Sequence, residues 1–439
     1  MQQIDTLVHA RWVIPVEPHG AVLERHAVAI HNGRIVAVLP SERARREYRA
    51  AHEHELPGHA LIPGLVNTHT HAAMTLFRGL ADDLPLMTWL GEHIWPAEAR
   101  WVGEEFVAAG SALAVAEMLR GGTTCFNDMY FFPQVTGRVA AAAGMRAVIG
   151  LIVIDFPSAW AAATDAYFSR AIDTFDELKG HPLVSTAFAP HAPYSVGDAP
   201  LARVRKLADE LELPVHMHVH ETRDEVDQQT QRYGKRPLAR LDSLGLVSPG
   251  LVAVHMTQLD ESEIALCADR GVQIVHCPES NLKLASGFCP VQRLLGAGIN
   301  VALGTDGAAS NNDLDMLGEL RTAALLAKGV AQDPSAVPAA TALRMATLDG
   351  ARALGLGEAI GSLEPDKEAD MVAVDLSFPE TQPVHHPISQ LVYAAGRRQV
   401  SHVWIAGRPV LLEGRLTTVD LDKVRADAEQ WRERIGGQS

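Results

Sequence analysis

Eight short apolar runs through the middle of the chain constrain this sequence more than any other feature. They are "ALIPGLVNTH", "GTTCFND", "RAVIGLIVI", "PLVSTAFAPH", "PVHMHVH", "GLVAVH", "GVQIVHC" and "INVALGTD". Each has the length and β-branched content of a buried strand. Between them lie stretches with apolar residues at helical spacing, such as "EEFVAAGSALAVAEMLRGG" and "LARVRKLADELEL", the second stopping before Pro214. Strand alternating with helix eight times predicts an α/β fold, a (β/α)8 TIM-type barrel.

The two ends of the chain have another texture. "TLVHARWVIPV" and "HAVAIHNGRIVAVLP" near the start, and "DMVAVDL" and "HVWIAGRPVLLEGRL" near the finish, are short β-type segments broken by Pro, Gly and turn signals. They predict one small β-sandwich domain built from residues 1–61 and 368–439, enclosing a barrel of residues 62–367. A charged helix is expected over 421–435.

Composition excludes several classes. The chain has 439 residues, ample for a large core, and a net charge of -15 without long blocks of like charge. It has no electrostatic footprint for nucleic acid or an anionic membrane. Its four cysteines include no C-x-x-C pair, so neither a disulfide framework nor a thiolate metal site is expected. The N-terminus lacks a charged leader followed by an apolar run, and no segment approaches the ~18 apolar residues of a membrane span. A cytoplasmic protein is expected.

The predicted strands end in chemically useful residues. The first gives His69 and His71, the second Asn127 and Asp128, the fourth His191. The fifth gives His216, His218, His220 and Glu221, the sixth His255, the seventh His276 and the eighth Asp306. In a barrel these ends share one rim, where active sites form. Alternate residues of a strand point to the same side, so His69 and His71 present two imidazoles to one point. Alone, the pair reads equally well as two strand-end polar groups. With a further histidine and Asp306 it reads as a divalent metal centre, suited to Zn²⁺ with one position open for water, or to Fe²⁺. Spacing does not choose among His216, His218 and His220.

The stretches "GLVNTHTHAAMTLFRGLADDLPLMTWLGEHIWPAEARW", "HVHETRDEVD" and "LGTDGAASNNDLDM" resemble the amidohydrolase superfamily, in its branch of 5'-methylthioadenosine/S-adenosylhomocysteine deaminases. The resemblance covers nearly the whole chain. It implies His69, His71, His218 and Asp306 as ligands of one divalent metal, most readily Zn²⁺. The fourth strand lacks the lysine that other superfamily members carboxylate to hold a second metal. The resemblance further implies that Asp306 takes the proton of the attacking water and passes it to the leaving amine. Glu221 protonates N1 of the adenine ring, and His255 steadies the attacking oxygen. His216, His220 and His276 are expected to fill the barrel or make supporting polar contacts.

The segment from Ala72 to Trp101 is long for a βα connection. Met74, Leu76, Phe77, Leu86, Met87, Trp89 and Leu90 could line a pocket or form a lid there. Glu98 matches the family's carboxylate for the ribose hydroxyls, and His191 its substrate-contacting histidine. Members that accept S-adenosylhomocysteine carry arginines after the third strand. Here no Arg or Lys falls between Arg146 and Arg170. The expectation is therefore a small-molecule nucleoside substrate: 5'-methylthioadenosine first, then adenosine, with S-adenosylhomocysteine poorer. Two rivals are a guanine- or triazine-type amidohydrolase on the same scaffold and a catalytically silent metal-binding barrel. A homo-oligomer is expected, with the C-terminal helix and "PVHHPISQLVYAAGRR" as one candidate contact and a solvated surface as the other reading of those segments.

Overall fold

In the computed structural model, which describes residues 1–437, the eight runs form eight parallel strands. They are Leu65–Thr70, Thr123–Met129, Arg146–Val153, Val184–Pro190, Val215–Val219, Leu251–His255, Gln273–His276 and Val301–Leu303. They neighbour one another in sequence order. The ring is drawn shut between the eighth and first strands. There the Asp306 N–H donates to the His69 carbonyl at 3.0 Å, and the Thr68 hydroxyl donates to the Leu303 carbonyl at 2.7 Å. Nearly every strand residue is buried, as expected for parallel strands covered on both faces. Helices such as Glu104–Arg120 and Asp198–Leu211 cover the ring through an apolar layer that includes Val115, Met118, Phe126, Phe168 and Leu201.

Both chain ends build the second sheet. Its strands Gln2–Val13, Leu23–His31, Arg34–Pro40 and Tyr48–Pro63 come from the start, and Met371–Asp375, Val400–Ile405, Arg408–Leu412 and Arg415–Leu416 from the end. The two halves join where Tyr48–Pro63 pairs antiparallel with Met371–Asp375. The sheet curls so that its outer hairpins meet, a Cβ on Gly33 falling 2.8 Å from the Ala406 carbonyl oxygen. Val8, Val28 and Ile30 of the first half then pack with Met371 and Trp404 of the second. The "HNGR" signal is the turn between two of these strands, with Asn32 and Gly33 both at positive φ as a tight hairpin requires.

The run "ALIPGLVNTH" divides differently from its apolar pattern. "ALIP" belongs to the terminal sheet, and the barrel strand starts at Leu65. Gly64 is the break: a Cβ there would lie 1.9 Å from the Thr124 hydroxyl oxygen. The charged helix runs over Leu421–Gly436 and begins on the Asp420 carboxylate, which accepts from the Asp422 and Lys423 amides. Its Trp431 packs edge-on against Phe106 on the barrel's outer layer, at 5.3 Å between ring centroids. Residues 438 and 439 of the expected terminal domain lie outside the described residues. No helix among the described residues is long and apolar enough to cross a membrane.

Candidate metal centre and its pocket

Strand register carries the functional side chains to one level. Thr70 lies beside Asp128, Val254 beside His218, and His255 beside Val219. At the rim the chain bends sharply. His255 has φ +75° and Asp306 φ +63°. Non-glycine residues held there cost ~1–3 kcal/mol each and persist where surrounding structure imposes them.

One ligand atom each from His69, His71, His218 and Asp306 gathers within 4.8 Å of the others. His69 Nε2 and His71 Nε2 lie 3.2 and 3.1 Å from Asp306 Oδ1, and His218 Nε2 lies 3.1 Å from His69 Nε2. The outer ring nitrogens explain this geometry. His71 Nδ1 sits 2.5 Å from the Met129 carbonyl and His218 Nδ1 2.7 Å from the His191 carbonyl. A carbonyl can only accept, so Nδ1 carries a proton in each, and in the neutral ring Nε2 is left as the lone pair for a cation. Converging lone pairs and a carboxylate oxygen repel unless positive charge sits among them, so the donor set fits a divalent cation. The same appetite for charge appears at His71. Burial lowers its pKa, but the hydrogen bond and charge of Asp306 and the Met129 carbonyl outweigh this and raise it to about 9.

Asp306 is firmly held. Its Oδ2 accepts from the Ser280 and Ser310 hydroxyls at 2.7 and 2.9 Å, and its Oδ1 from the Gly307 amide at 2.8 Å. Burial would raise its pKa, yet hydrogen bonds and charge from His69 and His71 hold it well below the usual carboxylate range. Asp128, also a strand-end carboxylate, faces away from the four donors. It accepts from the Thr70 hydroxyl and the Ala72 amide, and so braces the His69–His71 segment.

Glu221 and His255 flank the four donors. Glu221 Oε1 lies 3.9 Å from His255 Nε2. Burial raises the Glu221 pKa, His255 partly opposing it, so the group is suited to carrying a proton. His255 Nδ1 donates to Asn281 Oδ1 at 2.8 Å, which aims Nε2 back toward Glu221.

These groups line one side of a cleft of about 760 Å³, counting its open mouth. Residues of the connection from Ala72 to Trp101 line it too. Met74, Leu86, Trp89 and Leu90 face the cleft, whereas Phe77 packs on Phe106 at 4.8 Å and Met87 is exposed. Glu98 lines the cleft, half-buried, and desolvation raises its pKa to about 7. The Tyr130 hydroxyl donates to Glu98 Oε1 at 2.8 Å. His191 also lines the cleft, its Nδ1 2.9 Å from the Ser195 hydroxyl, and burial lowers its pKa to about 3.

The remaining histidines separate. His216 points inward, with Nε2 2.9 Å from His69 Nδ1. His220 does not share that strand face. The strand ends at Val219, and His220, at φ +53°, turns away so that its Nε2 accepts the Leu238 amide at 3.1 Å. His276 is buried and makes no hydrogen bond through Nδ1. The supporting residues Tyr130, Ser195, Ser280 and Asn281 carry no motif of their own, and each falls within a few positions after a strand end. Ser310 lies within "LGTDGAASNNDLDM".

Comparison with known proteins agrees with this geometry. The model of the amidohydrolase family matches residues 60–410. A protein from Teredinibacter turnerae named 5-methylthioadenosine/S-adenosylhomocysteine deaminase is 50% identical over 433 residues, 99% of this chain and 98% of that one. Among solved structures, an adenosine deaminase from Xanthomonas campestris with bound zinc superposes with a TM-score of 0.98 at 60% identity, covering 99% of both chains. A triazine hydrolase variant superposes at 0.90 with 25% identity, covering 97% of this chain and 99% of its own. A closed eight-stranded barrel with four donors at its rim, a flanking two-ended sheet and these full-length likenesses lead to one conclusion: the chain belongs to the amidohydrolase family.

Proposed function

We propose that this chain is a metal-dependent deaminase of adenine nucleosides, converting 5'-methylthioadenosine and water to 5'-methylthioinosine and ammonia. Adenosine is a second substrate and S-adenosylhomocysteine a poorer one. The observation that carries this reading is a single cleft lined both by the four-donor centre with Glu221 and His255 and by a half-buried carboxylate, Glu98. That combination suits a nucleoside, whose reacting ring and ribose diol each need polar partners. The 50% and 60% identities to proteins named as deaminases support the same choice over the triazine hydrolase.

His69, His71, His218 and Asp306 would hold the ion. Zn²⁺ is preferred over Fe²⁺ for three imidazoles and one carboxylate. When bound, such an ion would lower the pKa of a water to about 7 and supply hydroxide at neutral pH. The other steps belong to the protein. Asp306, ionised and aimed by Ser280 and Ser310, receives the water proton and returns it to the departing amine. Glu221, whose pKa burial raises, donates a proton to ring N1 as the oxygen adds to the adjacent carbon. His255 hydrogen-bonds the attacking oxygen and is held in place by Asn281. Glu98 accepts from the ribose hydroxyls, and His191 hydrogen-bonds the nucleoside. The barrel, which begins at Leu65, carries this chemistry, and the strands from Gln2 to Pro63 and from Met371 to Leu416 form the supporting β sheet.

The preference among substrates follows from the walls. Among the described residues no Lys or Arg lines the cleft, and the third strand and the segment after it offer Ile152, Ile154 and Phe156. A carboxylate placed there without a cation is costly. An adjoining cavity shares Trp95, Phe156 and Tyr194 with the cleft and has Arg232 on its wall, stacked at 5.2 Å over Tyr233. Ammonia release measured with 5'-methylthioadenosine, adenosine, S-adenosylhomocysteine, guanine and a triazine tests the assignment. Deamination of the first two supports it. Turnover of guanine or the triazine alone would transfer the chain to the rival reading. S-adenosylhomocysteine turned over as well as the thioether would refute the predicted preference.

A further inference from the structure

Two of the three imidazoles at the centre have their outer nitrogen on a backbone carbonyl. His69 does not: its Nδ1 meets His216 Nε2 at 2.9 Å, with the rings edge-on at 4.9 Å between centroids. His216 is fully buried, and its own Nδ1 has no hydrogen-bond partner. A carbonyl imposes one tautomer on its histidine, whereas an imidazole can either accept or donate. If His216 accepts, His69 carries its proton on Nδ1 and presents a bare Nε2. The cost is an unpartnered His216 N–H inside the barrel. If His216 donates, His69 Nε2 carries the proton instead and cannot be a ligand.

We infer that His216 is a positioning residue: by accepting from His69 Nδ1 it fixes the tautomer and orientation of His69 and so retains the metal. This rests on the reading of the four donors as a metal centre. Removing such an outer partner typically costs ~10–100-fold in metal affinity. Glutamine at position 216 can offer an amide oxygen to His69, and leucine cannot.

The test loads full-length wild type, His216→Leu and His216→Gln with Zn²⁺ and follows release to a chromophoric chelator. In parallel, the visible absorption of each Co²⁺-loaded protein reports ligand geometry, and melting of the metal-free forms controls for folding. The expected result is release ~10–100-fold faster from His216→Leu, with a changed Co²⁺ spectrum, and near-wild-type behaviour from His216→Gln. Equal release from wild type and His216→Leu overturns the inference, as does a glutamine variant that loses metal as fast as the leucine one. Should His216→Leu fail to fold, ¹⁵N NMR of the histidine rings in Zn²⁺-loaded wild type decides. Protons on Nδ1 of both His69 and His216 support the inference, and a proton on His216 Nε2 overturns it. A wild type that holds no metal sinks the metal centre itself, an outcome distinct from the others.

Discussion

Replacing Tyr130 with Phe removes one hydroxyl, and its effect can be worked from the contact that is lost. The Tyr130 O–H donates to Glu98 Oε1 at 2.8 Å. Burial raises the Glu98 pKa to about 7, and the Tyr130 hydrogen bond and the His71 charge act against that rise. A hydrogen bond to a charged group contributes ~1.5–3 kcal/mol, and each pKa unit corresponds to about 1.4 kcal/mol. At the lower end of that range its loss lifts the Glu98 pKa by about one unit, from about 7 to ~8. Only the ionised carboxylate can accept from both ribose hydroxyls, so binding strengthens as pH rises through the Glu98 pKa. At pH 7 the ionised fraction falls from about half to about a tenth, a roughly fivefold loss of kcat/KM, while at pH 9 the two proteins nearly coincide. The assay is the pH profile of kcat/KM for 5'-methylthioadenosine, followed by the absorbance change on deamination. Superimposed profiles, or a loss of the same size at every pH, would refute the coupling of Tyr130 to Glu98.

Other perturbations probe other links. Glu221→Gln should keep its metal by elemental analysis yet lose nearly all turnover, and retained turnover would remove Glu221 from the proposed mechanism. Gly64→Ala drives a methyl into Thr124 and should cost at least the ~1–3 kcal/mol of an overpacked core in urea unfolding. An unchanged midpoint would contradict the close approach of the two strands. Arg146 spans the barrel and the terminal sheet, donating to Asp370 at 3.0 and 3.1 Å and to Glu368 at 2.5 Å. Arg146→Met strands the buried Asp370 carboxylate and should cost ~3–5 kcal/mol, and a loss under ~1 kcal/mol would show that the joint is solvated.

The barrel was legible because its strands are buried on both faces and therefore appear as continuous apolar runs. The His69–His71 pair was legible because strand alternation makes both side chains face one way. Elsewhere local periodicity ends before the chemistry does. "ALIP" has the same apolar content as the strand that follows, and only Gly64 marks that it belongs to another sheet. His216, His218 and His220 look equivalent by spacing, but the strand stops at Val219 and a left-handed residue sends His220 elsewhere. Tyr130 and Glu98 are 32 positions apart, and Ser280 and Asp306 are 26 apart. Loops bring these pairs together, and no local pattern encodes their path. His216 was expected among the barrel-filling or supporting histidines, and across the barrel interior its Nε2 lies 2.9 Å from His69 Nδ1.

The central claim is that His69, His71, His218 and Asp306 hold one divalent ion. Anomalous diffraction at the zinc edge, on crystals of the Zn²⁺-loaded protein, tests it most directly. The account predicts a single strong peak ~2.0–2.2 Å from the three Nε2 atoms and Asp306 Oδ1. No peak in loaded crystals, or a peak bound elsewhere with these four side chains apart, would contradict it.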